Sequence, residues 1–238
     1  MTLVDTPART DRFDELVERA RALAAGRRRA VLGIAGAPGA GKTTVALALV
    51  RALAATPPDG LGPGWVAHVP MDGFHLADVE LDRLRRRHRK GAPDTFDADG
   101  YAALLARLRL TPDDGAGPVY APAFDREIEQ PVAGSVPVHP QCRLVVSEGN
   151  YLLLDTPRWR AVRAGFDAVW FHETDEALRL ERLVARHVRF GKTLEAARVW
   201  VERTDEPNAR LVEASRHRAD LAVALPDQPP GPLPGEPS

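Results

Sequence analysis

Lys42 and Thr43 close the stretch Gly36-Ala37-Pro38-Gly39-Ala40-Gly41-Lys42-Thr43, whose residue types suit the gripping of phosphate. Small residues let the backbone curl until its N–H groups converge on phosphate oxygens. The Lys42 ammonium can bridge terminal phosphates, and the Thr43 hydroxyl can hold Mg2+. The pattern G-x-x-x-x-G-K-[ST] has this meaning only between a strand and a helix. Both are legible here: the apolar run 30–35 precedes it, and residues 44–50 follow as an apolar segment of helical length. A helix starting near Gly41 adds the positive end of its dipole. Gly36 to Gly41, with Lys42, Thr43 and Thr44, are therefore expected to bind a nucleoside triphosphate. The alternative is a glycine-rich turn with no ligand.

Asp72 follows the run Trp65–Met71, which reads as a strand; parallel α/β sheets place ligands at that carboxyl end. A carboxylate there can take the proton of an attacking hydroxyl, sit in a magnesium shell, or merely make a turn with Gly73. Phe74 and His75 follow directly; if Asp72 is a base they should face an acceptor, and His75 can hydrogen-bond a substrate oxygen or be structural. Glu148 ends the apolar strand 144–147 like a Walker B acid, suited to magnesium-bound water, to orienting the acceptor, or to closing the strand. Tyr120 and Arg126 lie in a Pro-containing segment that walls a pocket or forms a surface hairpin; Arg126 can pair with an anionic group. Arg182, Arg186 and Arg189 are spaced i, i+4, i+7 and so share a helix face, which in many helices is merely solvated.

The order GAPGAGKTT, MDGFH, RKGAPDTFD and EGNYLLLD resembles the P-loop kinase superfamily of phosphoribulokinase, uridine kinase and bacterial pantothenate kinase, over most of residues 31–225. The resemblance implies an α/β, three-layer P-loop kinase fold with a mostly parallel sheet, a helical lid (about 182–193) and a small acceptor-pocket insertion. It implies ATP and Mg2+ as cofactors and a small-molecule alcohol, nucleoside-, pantothenate- or sugar-like, as acceptor. Asp72 is then the catalytic base, assisted by Lys42 and Arg186. Arg182 and Arg186 close over the phosphates, Thr43 and Glu148 serve the metal, and Asp72, Phe74, His75, Lys90, Tyr120, Arg126 and Glu148 line the acceptor side. The segment 89–97 is nearer the pantothenate kinase pattern; Gly91 stands where uridine kinases carry a ribose-binding aspartate, and Pro122 where pantothenate kinases carry a histidine. Asn208 is a loose candidate for contact with the base. The rival class is a P-loop NTPase acting as a regulator or switch on a protein partner, although the sequence has no N-K-x-D guanine element.

The elements that must position these groups alternate. Periodicity predicts a helix over 11–25, strands at 65–71, 142–147, 168–172 and 219–225, and helices over 77–90, from Asp97 or Asp99 onward, 175–190, 193–203 and 208–217. Residues 27–29 read as a solvated connection, 56–64 as a loop, 111–117 as a turn-rich link and 118–141 as short extended pieces. A single domain over 1–225 and a disordered Pro-rich tail over 226–238 are expected.

The chain has 238 residues, with Lys+Arg 32 against Asp+Glu 33 and a net charge of −1. That balance argues against nucleic acid as a partner, and the basic run 85–90 reads as a solvated helix end or pocket rim. Cys142 is the single cysteine, no apolar run approaches the roughly 20 residues of a membrane span, and the first twelve residues carry no secretory pattern. A cytoplasmic protein, off the membrane, is expected; a homodimer stays open.

Overall fold

The computed structural model describes residues 7–110 and 117–226. The sequence builds a β/α alternation from the first apolar run onward. A short strand β1 (Ala8–Thr10) leads to α1 (Phe13–Ala24), then to β2 (Ala30–Ala35) and the P-loop helix α2 (Lys42–Ala55). Next come β3 (Val66–Pro70), α3 (Asp78–Arg83) and α4 (Ala98–Arg109), whose N-cap Asp97 accepts a hydrogen bond from the Gly100 N–H. The hairpin β4 (Val119–Asp125) and β5 (Gln130–Val138) precedes β6 (Leu144–Gly149), α5 (Pro157–Ala164) and β7 (Ala168–His172). The chain ends on α6 (Glu176–Arg189), α7 (Leu194–Trp200), α8 (Glu206–Ala214) and β8 (Leu221–Val223).

Six strands form one parallel sheet in the order β1-β8-β7-β2-β6-β3, and β4 pairs antiparallel with β5 apart from it. Every residue of β2 and β6 is buried, because helices cover both faces. Leu32, Ile34, Leu144, Val146 and Trp170 meet Leu16 of α1 and Leu49 of α2 on one side. Val31, Val145, Val169 and Phe171 meet Leu105 of α4, Val162 of α5 and Val212 of α8 on the other. This is the three-layer α/β arrangement expected.

Besides α5, for which no helix was expected, four details differ from the sequence reading. The strand β1 was not foreseen: its three residues, Ala-Arg-Thr, carry no apolar signal and are held by pairing with β8. The helix predicted over 77–90 stops at Arg83, because Arg85 takes φ +55 and Arg86 N–H bonds back to the Leu81 carbonyl. That is a left-handed helix ending, and the basic run beyond it has no apolar position to bury. Helices 193–203 and 208–217 are one continuous rod, since a π-type turn over Val201–Asp205 joins α7 to α8 just before Pro207. The wider turn accommodates a residue that has no N–H to donate.

Fourth, Arg29 is not solvated but buried, donating to the carbonyls of Cys142, Leu108 and His139. The link 111–116 and the tail beyond Pro226 lie outside the described residues. Among the described residues, no helix is long and apolar enough to cross a membrane.

Candidate active site

The P-loop leaves the carboxyl end of β2 through two residues that only glycine tolerates well, Gly39 at φ +81 and Gly41 at φ +92. Gly39 is pinned twice over: a Cβ there would lie 2.6 Å from Leu183 Cγ and 2.8 Å from the Arg179 carbonyl oxygen. The loop is thus pressed against α6. Thr174 Oγ1 donates to the Ala40 carbonyl at 2.8 Å, and Lys42 Nζ donates to the Ala37 carbonyl at 3.0 Å. Gly36, Ala37, Pro38 and Ala40 are buried, Thr43 and Thr44 exposed at the start of α2.

Lys42 is 7 % exposed, and burial pulls its ammonium down to about 8 despite the neighbouring carboxylates of Glu148 and Asp72. Glu148 is 5 % exposed on β6, and His68 Nε2 lies 3.7 Å from its Oε1, beyond hydrogen-bond reach. Asp72 follows β3 at the same sheet edge. Burial alone would raise its carboxyl, but Arg126, His75, Lys42 and Arg186 together hold it below the ordinary carboxylate value. Arg126 donates to Asp72 Oδ2 at 2.7 Å, and His75 Nδ1 lies 2.8 Å from the Asp72 carbonyl oxygen. Burial, then the nearby Arg126 cation, lowers the Arg186 guanidinium. One electrostatic cluster therefore joins Lys42, Asp72, His75, Arg126, Glu148 and Arg186.

The acceptor-side residues divide. The His75 ring lies between Phe96 and Phe124, with centroids 4.0 and 4.7 Å away. Lys90 Nζ sits 5.3 Å from the Phe124 ring centroid but is tied to Asp78 at 2.7 Å and to the Glu129 carbonyl. Phe74, expected to face the acceptor, instead packs in the core on Tyr101, ring centroids 4.7 Å apart. Tyr120 is 56 % exposed on β4, while the next residue, Ala121, is buried. Asn208 is 6 % exposed and Arg189 lies on the surface. The basic run pairs within the chain, Arg86 and Arg89 with Asp94, Arg87 with Asp78 and Asp82.

Sequence reasoning missed the supports beneath the P-loop. Arg179 is buried, donates to the Pro38 carbonyl at 3.4 Å and pairs with Glu206 at 2.5 Å. It extends the stripe of Arg182 and Arg186 one turn back, a signal that was present; its partner on α8 had none. His172, at the end of β7, presses its carbonyl against Gly36, and burial lowers its imidazole to about 4. His187 Nε2 on α6 lies 2.7 Å from Asp205 Oδ2 in the π-type turn between α7 and α8.

A parallel sheet with this P-loop and carboxylates at the ends of β6 and β3 is the arrangement of a P-loop nucleotide-binding protein. The chain belongs to the phosphoribulokinase/uridine kinase family, whose model matches residues 31–228. It is 34 % identical over 226 residues to a Schizosaccharomyces pombe protein described as a candidate uridine kinase, covering 92 % of this chain and 93 % of that one. It is 28 % identical over 188 residues to the ATP-dependent kinase YFH7 of Zygosaccharomyces rouxii, 66 % of this chain and 50 % of that one. The crystal structure of a candidate fructose transport system kinase from Silicibacter sp. TM1040 superposes with a TM-score of 0.77 at 37 % identity, covering 89 % of this chain and 98 % of that one. The chain is accordingly a phosphotransferase of an ATP-using family, with an alcohol group as acceptor.

Proposed function

We propose that this chain is an ATP- and Mg2+-dependent kinase that moves the γ-phosphoryl group to a hydroxyl of a small molecule, nucleoside-, pantothenate- or sugar-like. The observation that carries the reading is Asp72 just beyond β3, with Arg126 donating to its Oδ2 at 2.7 Å, His75 Nδ1 2.8 Å from its carbonyl oxygen, and Lys42 and Arg186 near enough to act on its charge. Asp72 takes the proton of the acceptor hydroxyl as that oxygen bonds to the γ-phosphorus and the bond to the β-phosphate oxygen breaks. Lys42, Arg182 and Arg186 offset charge on the phosphoryl group in flight, and the backbone of residues 36–41 with Thr43 and Thr44 holds the nucleotide. Residues 182–193, with a bend at Gly191 (φ +96), act as the lid.

The donor set fits magnesium. Among the described residues no group of three or more His, Cys, Asp or Glu could hold a metal unaided. A hydroxyl on Thr43 and the Glu148 carboxylate suit an ion whose remaining ligands are water and phosphate oxygens. Bound there, the ion would supply charge neutralisation to the phosphates.

The test is ATP consumption across a panel of hydroxyl compounds. Turnover that depends on one small acceptor supports the kinase. Hydrolysis indifferent to every acceptor and stimulated by a protein would replace it with a regulatory NTPase.

A further inference from the structure

Arg126 occupies the carboxylate that the proposed reaction needs. Its Nη2 donates to Asp72 Oδ2 at 2.7 Å, on a side chain that is 41 % exposed against 27 % for Asp72. It follows the last residue of β4, and its guanidinium lies 5.3 Å from the Phe124 ring centroid. Lys90 approaches the same ring but is already committed to Asp78 and the Glu129 carbonyl. Of the groups acting on Asp72, Lys42 and Arg186 are the ones a triphosphate would engage; His75 is half-buried, and burial holds its imidazole below its ordinary value. Arg126 is therefore the cation left over on the acceptor side. Its planar fork matches a carboxylate or phosphate in two parallel hydrogen bonds, and its exposure leaves one edge open to an incoming group.

We propose that the acceptor carries an oxyanion, carboxylate or phosphate, near its reactive hydroxyl, and that Arg126 transfers from Asp72 to that group as the acceptor binds. The transfer frees a carboxylate oxygen for the hydroxyl. A neutral alcohol offers Arg126 nothing in exchange and meets a masked base, so selection against it uses the same contact. This rests on the reading of Asp72 as base.

The experiment titrates the whole protein, saturated with Mg2+ and a non-hydrolysable ATP analogue, with matched compounds: glycerate against glycerol, and ribose 5-phosphate against ribose. Calorimetry is run on the native chain and on R126Q, R126K and D72N. The expected result is preference for the anionic member of one pair, which also distinguishes carboxylate from phosphate. R126Q weakens that binding by roughly 10- to 100-fold, R126K restores part of it, and D72N tightens it, because the competing carboxylate is gone. Neutral compounds are not weakened by R126Q and gain from it, because the Asp72 carboxylate is then unmasked.

Absence of anion preference in both the native chain and D72N overturns the proposal, as does a preference that survives R126Q. The reading of Asp72 fails separately, if D72N still transfers phosphate. A dead D72N beside an R126Q with intact anion binding sinks the exchange and leaves the base standing.

Discussion

The Nζ of Lys42 donates to the carbonyl of Ala37, five residues earlier in the same loop, at 3.0 Å. The charge is thereby held over the cradle rather than in solvent, and burial brings its ammonium down to about 8. A bound polyphosphate favours the charged form. Affinity for ATP should therefore be greatest while Lys42 is protonated and fall as pH rises through about 8, with proton uptake on binding near and above that value. Titration calorimetry in buffers of different ionisation enthalpy measures both quantities. Lys42→Met should weaken binding and remove the pH dependence.

Arg179 ties the P-loop to α8 through the Pro38 carbonyl and Glu206. Its side chain is 6 % exposed, so removing it leaves a shielded carboxylate and a loop carbonyl without their donor. Arg179→Met should destabilise the fold by about 3 kcal/mol, seen as a lower thermal midpoint. The double substitution with Glu206→Gln should recover part of that loss.

His172 sits 6 % exposed beneath the loop with its imidazole lowered to about 4 from the ordinary 6.5. The unfolded chain binds this proton more readily than the folded one. The stability gained by keeping the ring neutral is therefore complete above about 6.5 and shrinks as pH falls toward about 4, by about 3 kcal/mol in all. Urea unfolding across that range should show the slope, and His172→Asn should flatten it.

Gly73 touches the hairpin so closely that a Cβ there would overlap the Pro122 carbonyl oxygen. Gly73→Ala should displace β4 and with it the Arg126 contact to Asp72. The expected result is a fall in phosphoryl transfer of more than about 10-fold with ATP affinity nearly unchanged, because the atoms nearest the added Cβ belong to the hairpin and not to the P-loop.

The parts of this architecture carried by local pattern were readable from the chain. The P-loop, β2, β6 and the carboxylates that end β3 and β6 each announce themselves by an apolar run followed by a particular residue type. What the sequence hid was settled by distant partners. Arg29 is buried because carbonyls from Leu108, His139 and Cys142 converge on it, and nothing within three residues signals that. Phe74 turned inward because Tyr101 on α4 offers a ring to pack on, whereas its neighbour His75 is held by the Asp72 carbonyl. Tyr120 was placed by strand alternation inside a hairpin whose register slips between Ala121 and Ala123, a slip that no residue spacing betrays.

The central claim is that Asp72 accepts the proton of the acceptor. Single-turnover transfer of the γ-phosphoryl group by Asp72→Asn, with the acceptor that sustains ATP consumption, tests it most directly. The account predicts a rate lower by roughly 100- to 10,000-fold, with ATP affinity altered by less than about threefold. Transfer at a rate near that of the native chain would contradict it.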